Sequence, residues 1–260
     1  MEKEKYKLYN GDCLEVMDKL IEEGVKVDCI LTDVPYGTTA CKWDNIIPLD
    51  KMWERLNKLI KSNGAIVLFS SKPFTFKLGG SNIKNYKHYW VWDKEVCGAF
   101  ALAKKRPMIV TEDILVFSKN NNSVNYYPIM EDAIPKNIRP VNLGSNSSEA
   151  TPVSSGIAKS DKNYNPKKRY PKNIIKYSKY NKECNQLNRI HPTQKPVEVL
   201  EYLIKTYTNE NEIVLDFTMG SGSTGVACMN ANRKFIGIEL DENYFNIAKQ
   251  RIEEAYNKEI

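Results

Sequence analysis

The chain reads as an α/β protein built on a mostly parallel sheet with helices on both faces. Three observations carry this reading. Short continuous apolar runs, Val27–Thr32, Ala65–Phe69, Tyr89–Trp92 and Ile114–Phe117, lack the alternation of half-exposed strands, as strands covered on both faces do. Segments of helical spacing separate several of them. Near the C-terminus a strand-like run, Ile213–Asp216, is followed by Gly220-Ser221-Gly222 and then a helix-like stretch, the strand–loop–helix order of nucleotide-binding α/β units.

In order, Tyr6–Tyr9 is a short strand closed by Asn10-Gly11-Asp12. From Cys13 to about Glu23 the apolar residues Leu14, Met17, Leu20 and Ile21 mark one helical face. Val27–Thr32 is a strand. Leu49–Ile60 is helical through Met52, Trp53, Leu56, Leu59 and Ile60, and Asn63-Gly64 is expected to stop it. Three further strands follow, and Lys94, after Trp92-Asp93, reads as a surface cation. Beyond His191 a helix carries Val199, Leu200, Leu203 and Ile204. Ile213–Asp216 is a strand, Ser223–Asn230 a helix and Phe235–Glu239 a strand. Asp241 caps a final helix through Tyr244, Ala248 and Ile252.

Between these halves the texture changes. Residues 119–190 are rich in Asn, Ser, Gly and Pro and carry 13 Lys and Arg against 5 Asp and Glu, whereas the net charge of the whole chain is +6. The division expected is one core with an inserted lobe: a catalytic half over 1–118, an insert over 119–190, and a cofactor-binding half over 191–260. Within the insert, Lys167, Lys168, Arg169, Tyr170, Lys172 and Lys176 mix cations with an aromatic ring, a pattern suited to a phosphate backbone and exposed bases.

Composition narrows the function classes. No apolar run approaches the roughly 20 residues of a membrane helix. The charged start Met1-Glu2-Lys3-Glu4-Lys5 has no leader-like apolar stretch, so a cytoplasmic protein without a membrane role is expected. Six scattered cysteines form no Cys-x-x-Cys pair, and with two histidines they suggest reduced thiols and no metal site.

Two motifs carry chemistry. Thr32-Asp33-Val34-Pro35-Tyr36-Gly37 places a carboxylate, a rigid turn and an aromatic ring where a buried strand ends, the ligand-binding end of an open sheet. Gly220-Ser221-Gly222-Ser223-Thr224-Gly225 matches G-x-G-x-x-G, with Glu239 ending the next strand. Such a loop suits a nicotinamide dinucleotide. It equally suits S-adenosylmethionine, with Glu239 accepting the ribose hydroxyls. Only 35 residues follow Gly225, too few for the second half of a two-lobed dinucleotide fold.

Asp33-Val34-Pro35-Tyr36, His191-Pro192-Thr193-Gln194-Lys195-Pro196 and Leu215-Asp216-Phe217-Thr218-Met219-Gly220-Ser221-Gly222 occur in that order. Together they resemble the β-class DNA amino-methyltransferases, the adenine-N6 and cytosine-N4 DNA methylases, in which a catalytic segment, a recognition region and a cofactor segment follow one another. The resemblance implies a Rossmann-like, S-adenosylmethionine-dependent methyltransferase fold with a mostly parallel seven-stranded sheet. It implies DNA as partner and S-adenosylmethionine as cofactor, no metal, and a possible homodimer. It assigns Asp33, Val34, Pro35 and Tyr36 to the target base, with the Val34 carbonyl as a hydrogen-bond acceptor. Asp12, Thr193, Gln194, Lys195, Asp216, Phe217, Gly220, Gly222, Ser223, Thr224 and Glu239 fall to the cofactor.

Val34 stands where the family usually has Pro, and Phe217-Thr218 where it more often has Pro-Phe, a change without legible consequence. Aspartate at the head of the catalytic segment resembles the adenine-directed members, with transfer to the exocyclic amine of a flipped-out adenine; cytosine is the alternative. A carbon-5 cytosine methylase presents its nucleophile in a Pro-Cys dipeptide, and no cysteine here follows a proline.

Overall fold

The computed structural model describes residues 5–37, 45–97, 100–119, 123–133, 165, 167–179 and 194–258. The chain divides into two compact units, one formed by Met1–Tyr127 with Asn173–Ile260 and the other by Pro128–Lys172.

In the first unit β1 (Tyr6–Asn10), α1 (Cys13–Glu22), β2 (Val27–Asp33), α2 (Leu49–Leu59), β3 (Ile60–Ser70), α3 (Phe74–Ser81), β4 (Tyr86–Asp93) and β5 (Thr111–Phe117) follow in turn. In the second, β6 (Glu131–Asp132) and β7 (Lys168–Arg169) pair antiparallel. The first unit resumes with β8 (Ile174–Lys176), α4 (Val197–Tyr207), β9 (Ile213–Asp216), α5 (Ser223–Asn230), β10 (Lys234–Glu239) and α6 (Glu242–Lys258). Its strands form one sheet in the order β1-β10-β9-β2-β3-β5-β4-β8. Only β5 runs against its neighbours; every other pairing is parallel.

The two faces of this sheet bury separate apolar layers. Along β2 and β3, Cys29, Leu31, Ala65, Val67 and Phe69 pack into one cluster with α4, α5 and α6. The residues between them, Ile30, Ile66 and Leu68, pack into the other with α1 and α2. Period-2 alternation thus splits each continuous apolar run between two cores. Each large side chain so buried contributes about 1.5–3 kcal/mol. Asp12 fixes the start of α1: its Oδ1 accepts from Leu14 N at 2.8 Å and Glu15 N at 3.2 Å, a cap worth about 1 kcal/mol.

Two expectations are corrected. Among the described residues the sheet has eight strands rather than seven, because Ile174–Lys176 adds to the edge at β4. Two isoleucines between lysines and prolines are too short a run to announce a strand. Residues at the head of the insert also belong to the first unit's framework, where Asn125 N donates to Asn63 O and Tyr127 N to Thr206 O. Finally, Asn63-Gly64 does not stop α2: the helix ends at Leu59 and both residues lie inside β3.

Gly64 has a different reason for being glycine. The β2–β3 register shifts between Val27 and Cys29, and a Cβ on Gly64 would stand 2.7 Å from the Asp28 carbonyl and 2.6 Å from Ile60 Cδ1. The carbonyl belongs to the neighbouring strand and cannot step aside. Gly64→Ala is expected to lower the unfolding free energy by about 1–3 kcal/mol, the usual cost of overpacking, measured by urea denaturation; wild-type stability would contradict the close approach.

Candidate active site

From β2 the chain crosses to β3 on one side of the sheet, and from β9 it crosses to β10 on the other. The carboxyl ends of β2 and β9 therefore flank the point where strand order reverses, the place at which open α/β sheets hold ligands. A cavity of about 450 Å³ opens there, within the size range of small-molecule sites. Its walls include Asp12, Asp33, Val34, Pro35, Tyr36, Gln194, Lys195, Asp216, Phe217, Gly220, Ser223, Thr224 and Glu239. Two residues expected at the cofactor are not among them. Thr193 lies outside the described residues. Gly222 faces α6 instead: its φ is +80°, and a Cβ there would stand 2.8 Å from that of Ala248.

Threonines that the sequence did not single out join the two strand ends. Thr32 Oγ1 donates to Asp216 Oδ1 at 2.6 Å and lies 2.6 Å from Thr218 Oγ1. Thr218 Oγ1 in turn donates to the Asp33 carbonyl at 3.2 Å, and its N–H donates to Asp216 Oδ1 at 3.1 Å. This is the consequence of having Thr218 where the family more often has Phe. Burial pushes the Asp216 carboxyl up to about 6, against the opposing hydrogen bonds of Thr224, Thr32 and the Thr218 amide.

Asp33 stands in a chain of alternating charge. Its Oδ1 accepts from the Tyr36 phenol at 2.5 Å and its Oδ2 from Lys195 Nζ at 2.6 Å. Lys195 also reaches Glu112 Oε2 at 3.4 Å and lies over the Phe69 ring, 5.1 Å from its centroid. Glu112 accepts from Lys94 Nζ at 3.0 Å. Lys94, expected as a surface cation, has a side chain only 12% exposed; its partner sits across the β4–β5 ladder, where sequence spacing gives no sign of it. Burial raises the Asp33 pKa and Glu112 adds to that, while Lys195 and Tyr36 pull it back. For Lys195, burial works against the ammonium but Asp33 and Glu112 outweigh it, so its pKa is raised. The Tyr36 ring is held in turn by stacking on Phe74, centroids 5.3 Å apart.

Across the cavity, Gly220 has φ +52° and its N–H donates to Glu239 Oε2 at 2.8 Å. Glu239 Oε1 accepts from Asp241 N at 2.9 Å. Glu239 also lines the cavity. Burial raises the Glu239 pKa.

Of the basic residues, Lys167, Lys168, Arg169, Tyr170 and Lys172 lie in the second unit and Lys176 in the first. Tyr170 is 64% exposed. Lys168 pairs with Asp132 at 2.7 Å and Lys176 with Asp93 at 3.8 Å; both ion pairs are open to solvent and hold the lysines only weakly. No helix among the described residues is long and apolar enough to cross a membrane.

The family model of the N6/N4 DNA methylases matches residues 27–250. The chain belongs to the N6/N4 DNA methylase family. It is similar to type II methyltransferase M.HpaI of Haemophilus parainfluenzae, at 26% identity over 92% of this chain and 72% of that one. It is also similar to the DNA adenine methyltransferase YhdJ of Escherichia coli K12, at 27% identity over 95% of this chain and 83% of that one. Among solved structures it resembles a complex of M1.HpyAVI with SAM, with a TM-score of 0.63 and 27% identity, covering 95% of this chain and 99% of that one. This methylase has the Rossmann-like methyltransferase fold and uses S-adenosylmethionine to methylate an exocyclic amine of DNA, N6 of adenine or N4 of cytosine.

The cavity fits that cofactor. Gln194 Oε1 is buried in its wall with no hydrogen-bond partner among the described residues, a state that costs about 1–3 kcal/mol until a donor arrives. The glycine loop contributes Gly220 and Ser221 to the cavity wall, and Glu239 beside them would accept from the cofactor's paired hydroxyls. Gln194→Met removes the orphaned oxygen at nearly constant volume. It is expected to raise the stability of the free protein by about 1 kcal/mol and to weaken S-adenosylmethionine binding by about tenfold, read by urea denaturation and calorimetry. Unchanged binding would remove Gln194 from the cofactor site.

Proposed function

We propose that this methylase acts on the N6 amine of adenine in DNA, presented to Asp33 by extrusion from the duplex. The observation that carries the reading is a carboxylate, gripped by Tyr36 and Lys195, in the same cavity as the glycine loop. An aspartate heading the catalytic segment supports adenine as the base, as does the likeness to YhdJ, a DNA adenine methyltransferase.

The exocyclic amine of a nucleobase is a poor nucleophile because its lone pair is delocalised into the ring. Asp33 and the Val34 carbonyl accept hydrogen bonds from its two N–H groups and draw the nitrogen toward tetrahedral geometry. A carboxylate has about four lone-pair sites, so Asp33 takes this bond while keeping those from Tyr36 and Lys195. S-adenosylmethionine, when bound, supplies a sulfonium methyl group open to displacement by that lone pair. Gln194, Glu239 and the Gly220 loop hold it. The amine sheds one proton overall, and Asp33, made more basic by burial, is the acceptor at hand. Extrusion costs a few kcal/mol, and stacking on Tyr36, itself backed by Phe74, returns about 1–3 kcal/mol. Most of the acceleration comes from positioning. Residues 128–172, with their cations and exposed Tyr170, serve target recognition in this reading.

Mass spectrometry of DNA hydrolysed after incubation with methyl donor tests the base: N6-methyladenine is expected, and N4-methylcytosine without it overturns the choice. Asp33→Ala is expected to lower turnover by about two to three orders of magnitude, the scale of losing one preorganised polar group, with cofactor affinity unchanged in calorimetry.

The pH profile is a separate check. Transfer needs the Asp33 carboxylate, so activity is present above its raised pKa and is lost as pH falls through it. Lys195→Met deletes a charge that lowers that pKa, so the acid limb of kcat/KM moves to higher pH. Lys195→Arg keeps the charge and leaves the limb near its original place. A limb that moves to lower pH in the Met variant would refute the assignment of Asp33 as the titrating group.

A further inference from the structure

The segment joining β4 to β5 is not explained by anything above. Residues 94–110 carry four cations, Lys94, Lys104, Lys105 and Arg106, and one acid, Glu95. Lys94 is spent on Glu112. Lys104, Lys105 and Arg106 are exposed, and none has an ion-pair partner among the described residues. A 3-10 turn at Phe100–Leu102 precedes them and leaves the Phe100 ring 82% exposed. An aromatic ring so bare beside three unpaired cations has no account in packing or stability.

Topology says where this segment stands. Both β3 and β4 run antiparallel to β5, and β2 runs parallel to β3. The chain therefore leaves β4 at the same edge of the sheet at which β2 ends in Asp33. Ion pairs tie its root to that carboxylate: Lys94 to Glu112 at 3.0 Å, Glu112 to Lys195 at 3.4 Å, and Lys195 to Asp33 at 2.6 Å. Parallel to β4, β8 ends at the same edge in Lys176, and Lys179 N donates to the Lys94 carbonyl at 3.1 Å. Arg106 lines a cleft of about 180 Å³ with Ser71 and Lys94. Cations thus collect along the edge of the sheet that presents Asp33.

We propose that residues 100–109 are a DNA-contacting element in their own right, additional to the 128–172 unit. In it Lys104, Lys105 and Arg106 bind the phosphate backbone beside the base offered to Asp33, and the Phe100 ring packs against the bases. The proposal rests on DNA being the substrate. Phosphate is the anion that this pattern fits, since a row of point cations with an aromatic neighbour tracks a backbone and stacks on its bases.

The test is fluorescence-anisotropy binding of a short duplex across a salt series, with the full-length chain. Lys104→Ala/Lys105→Ala/Arg106→Ala is expected to lose about tenfold or more in affinity at moderate salt. Its log–log salt slope should fall by about 2–3, close to 0.9 for each phosphate contact. Phe100→Ala should lose about tenfold at an unchanged slope. Both variants should bind S-adenosylmethionine as the wild type does, which shows them folded. Lys249→Ala/Lys258→Ala, on exposed positions of α6, serves as the control and should match the wild type in affinity and slope. Wild-type affinity and slope in the triple variant overturn the phosphate contact, as does an equal slope loss in the control. Wild-type affinity in Phe100→Ala overturns the stacking contact. A wild-type chain that binds duplex but yields no methyladenine would instead fail the adenine reading and leave this one standing.

Discussion

The carboxylate of Asp33 is largely withdrawn from water, with 20% of its side chain exposed, and the site is arranged around that fact. An ionised carboxyl in such a place costs several kcal/mol unless it is paired and hydrogen-bonded. Lys195 meets the need from 162 residues further along the chain, so this ion pair joins the two halves of the first unit. One lysine against one acid would leave Glu112 and Lys94 to be matched separately. They extend the array to four groups of alternating sign and no net charge. β5 makes this possible by running backwards. An antiparallel strand begins at the edge where its neighbours end, so Glu112, the second residue of β5, stands at that edge, two residues beyond Ile114, which the register places level with Phe69 and Asp33. A parallel strand in that place would put its early residues at the opposite edge.

The same economy governs the link between the catalytic segment and the glycine loop. β2 and β9 are neighbours with only two paired residues in register, Cys29 with Val214 and Ile30 with Leu215. Beyond them the backbones diverge, which opens the cavity, and hydroxyls take over from ladder bonds. Thr32 and Thr218 bridge the gap through Asp216 and the Asp33 carbonyl. The split that makes room for a ligand is thereby kept from separating the groups that must act on one.

Much of this was legible in the sequence, and the remainder has a common cause. Continuous apolar runs announced the covered strands, since β2 and β3 feed alternate residues to two cores. Asp33 and the glycine loop were legible because strand-end position and small residues are local signals. Glu112 and Lys94 were not: each is an ordinary charge in its own neighbourhood, and only the antiparallel pairing of β4 with β5 brings them to Lys195. Ile174–Lys176 was hidden for the same reason, a short edge strand whose partner is remote. Gly64 misled because a glycine that admits a neighbouring backbone looks in sequence like one that ends a helix. Gly222 carries a packing demand that the motif does not announce: it lets α5 approach α6 at Ala248.

The charge pattern also assigns different solutes to different depths. Inside, the cavity wall carries Asp12, Asp33, Asp216 and Glu239, with Lys195 as its cation. That surplus of carboxylates favours a cationic sulfonium and amine donors, and it repels phosphate. Outside, along the sheet edge where β4 and β8 end, Lys104, Lys105, Arg106 and Lys176 are exposed, with Glu95 as an acid among them. In the proposed reading the rim cations hold the polyanion and the acidic wall disfavours its backbone, whereas an uncharged base with N–H donors gains by going in. Opposed potentials are sharper in a low-dielectric cleft than in water. Removing cations at the rim weakens capture. Removing Lys195 makes the interior more anionic and turns the same field against the Asp33 carboxylate, which the proposed mechanism needs ionised.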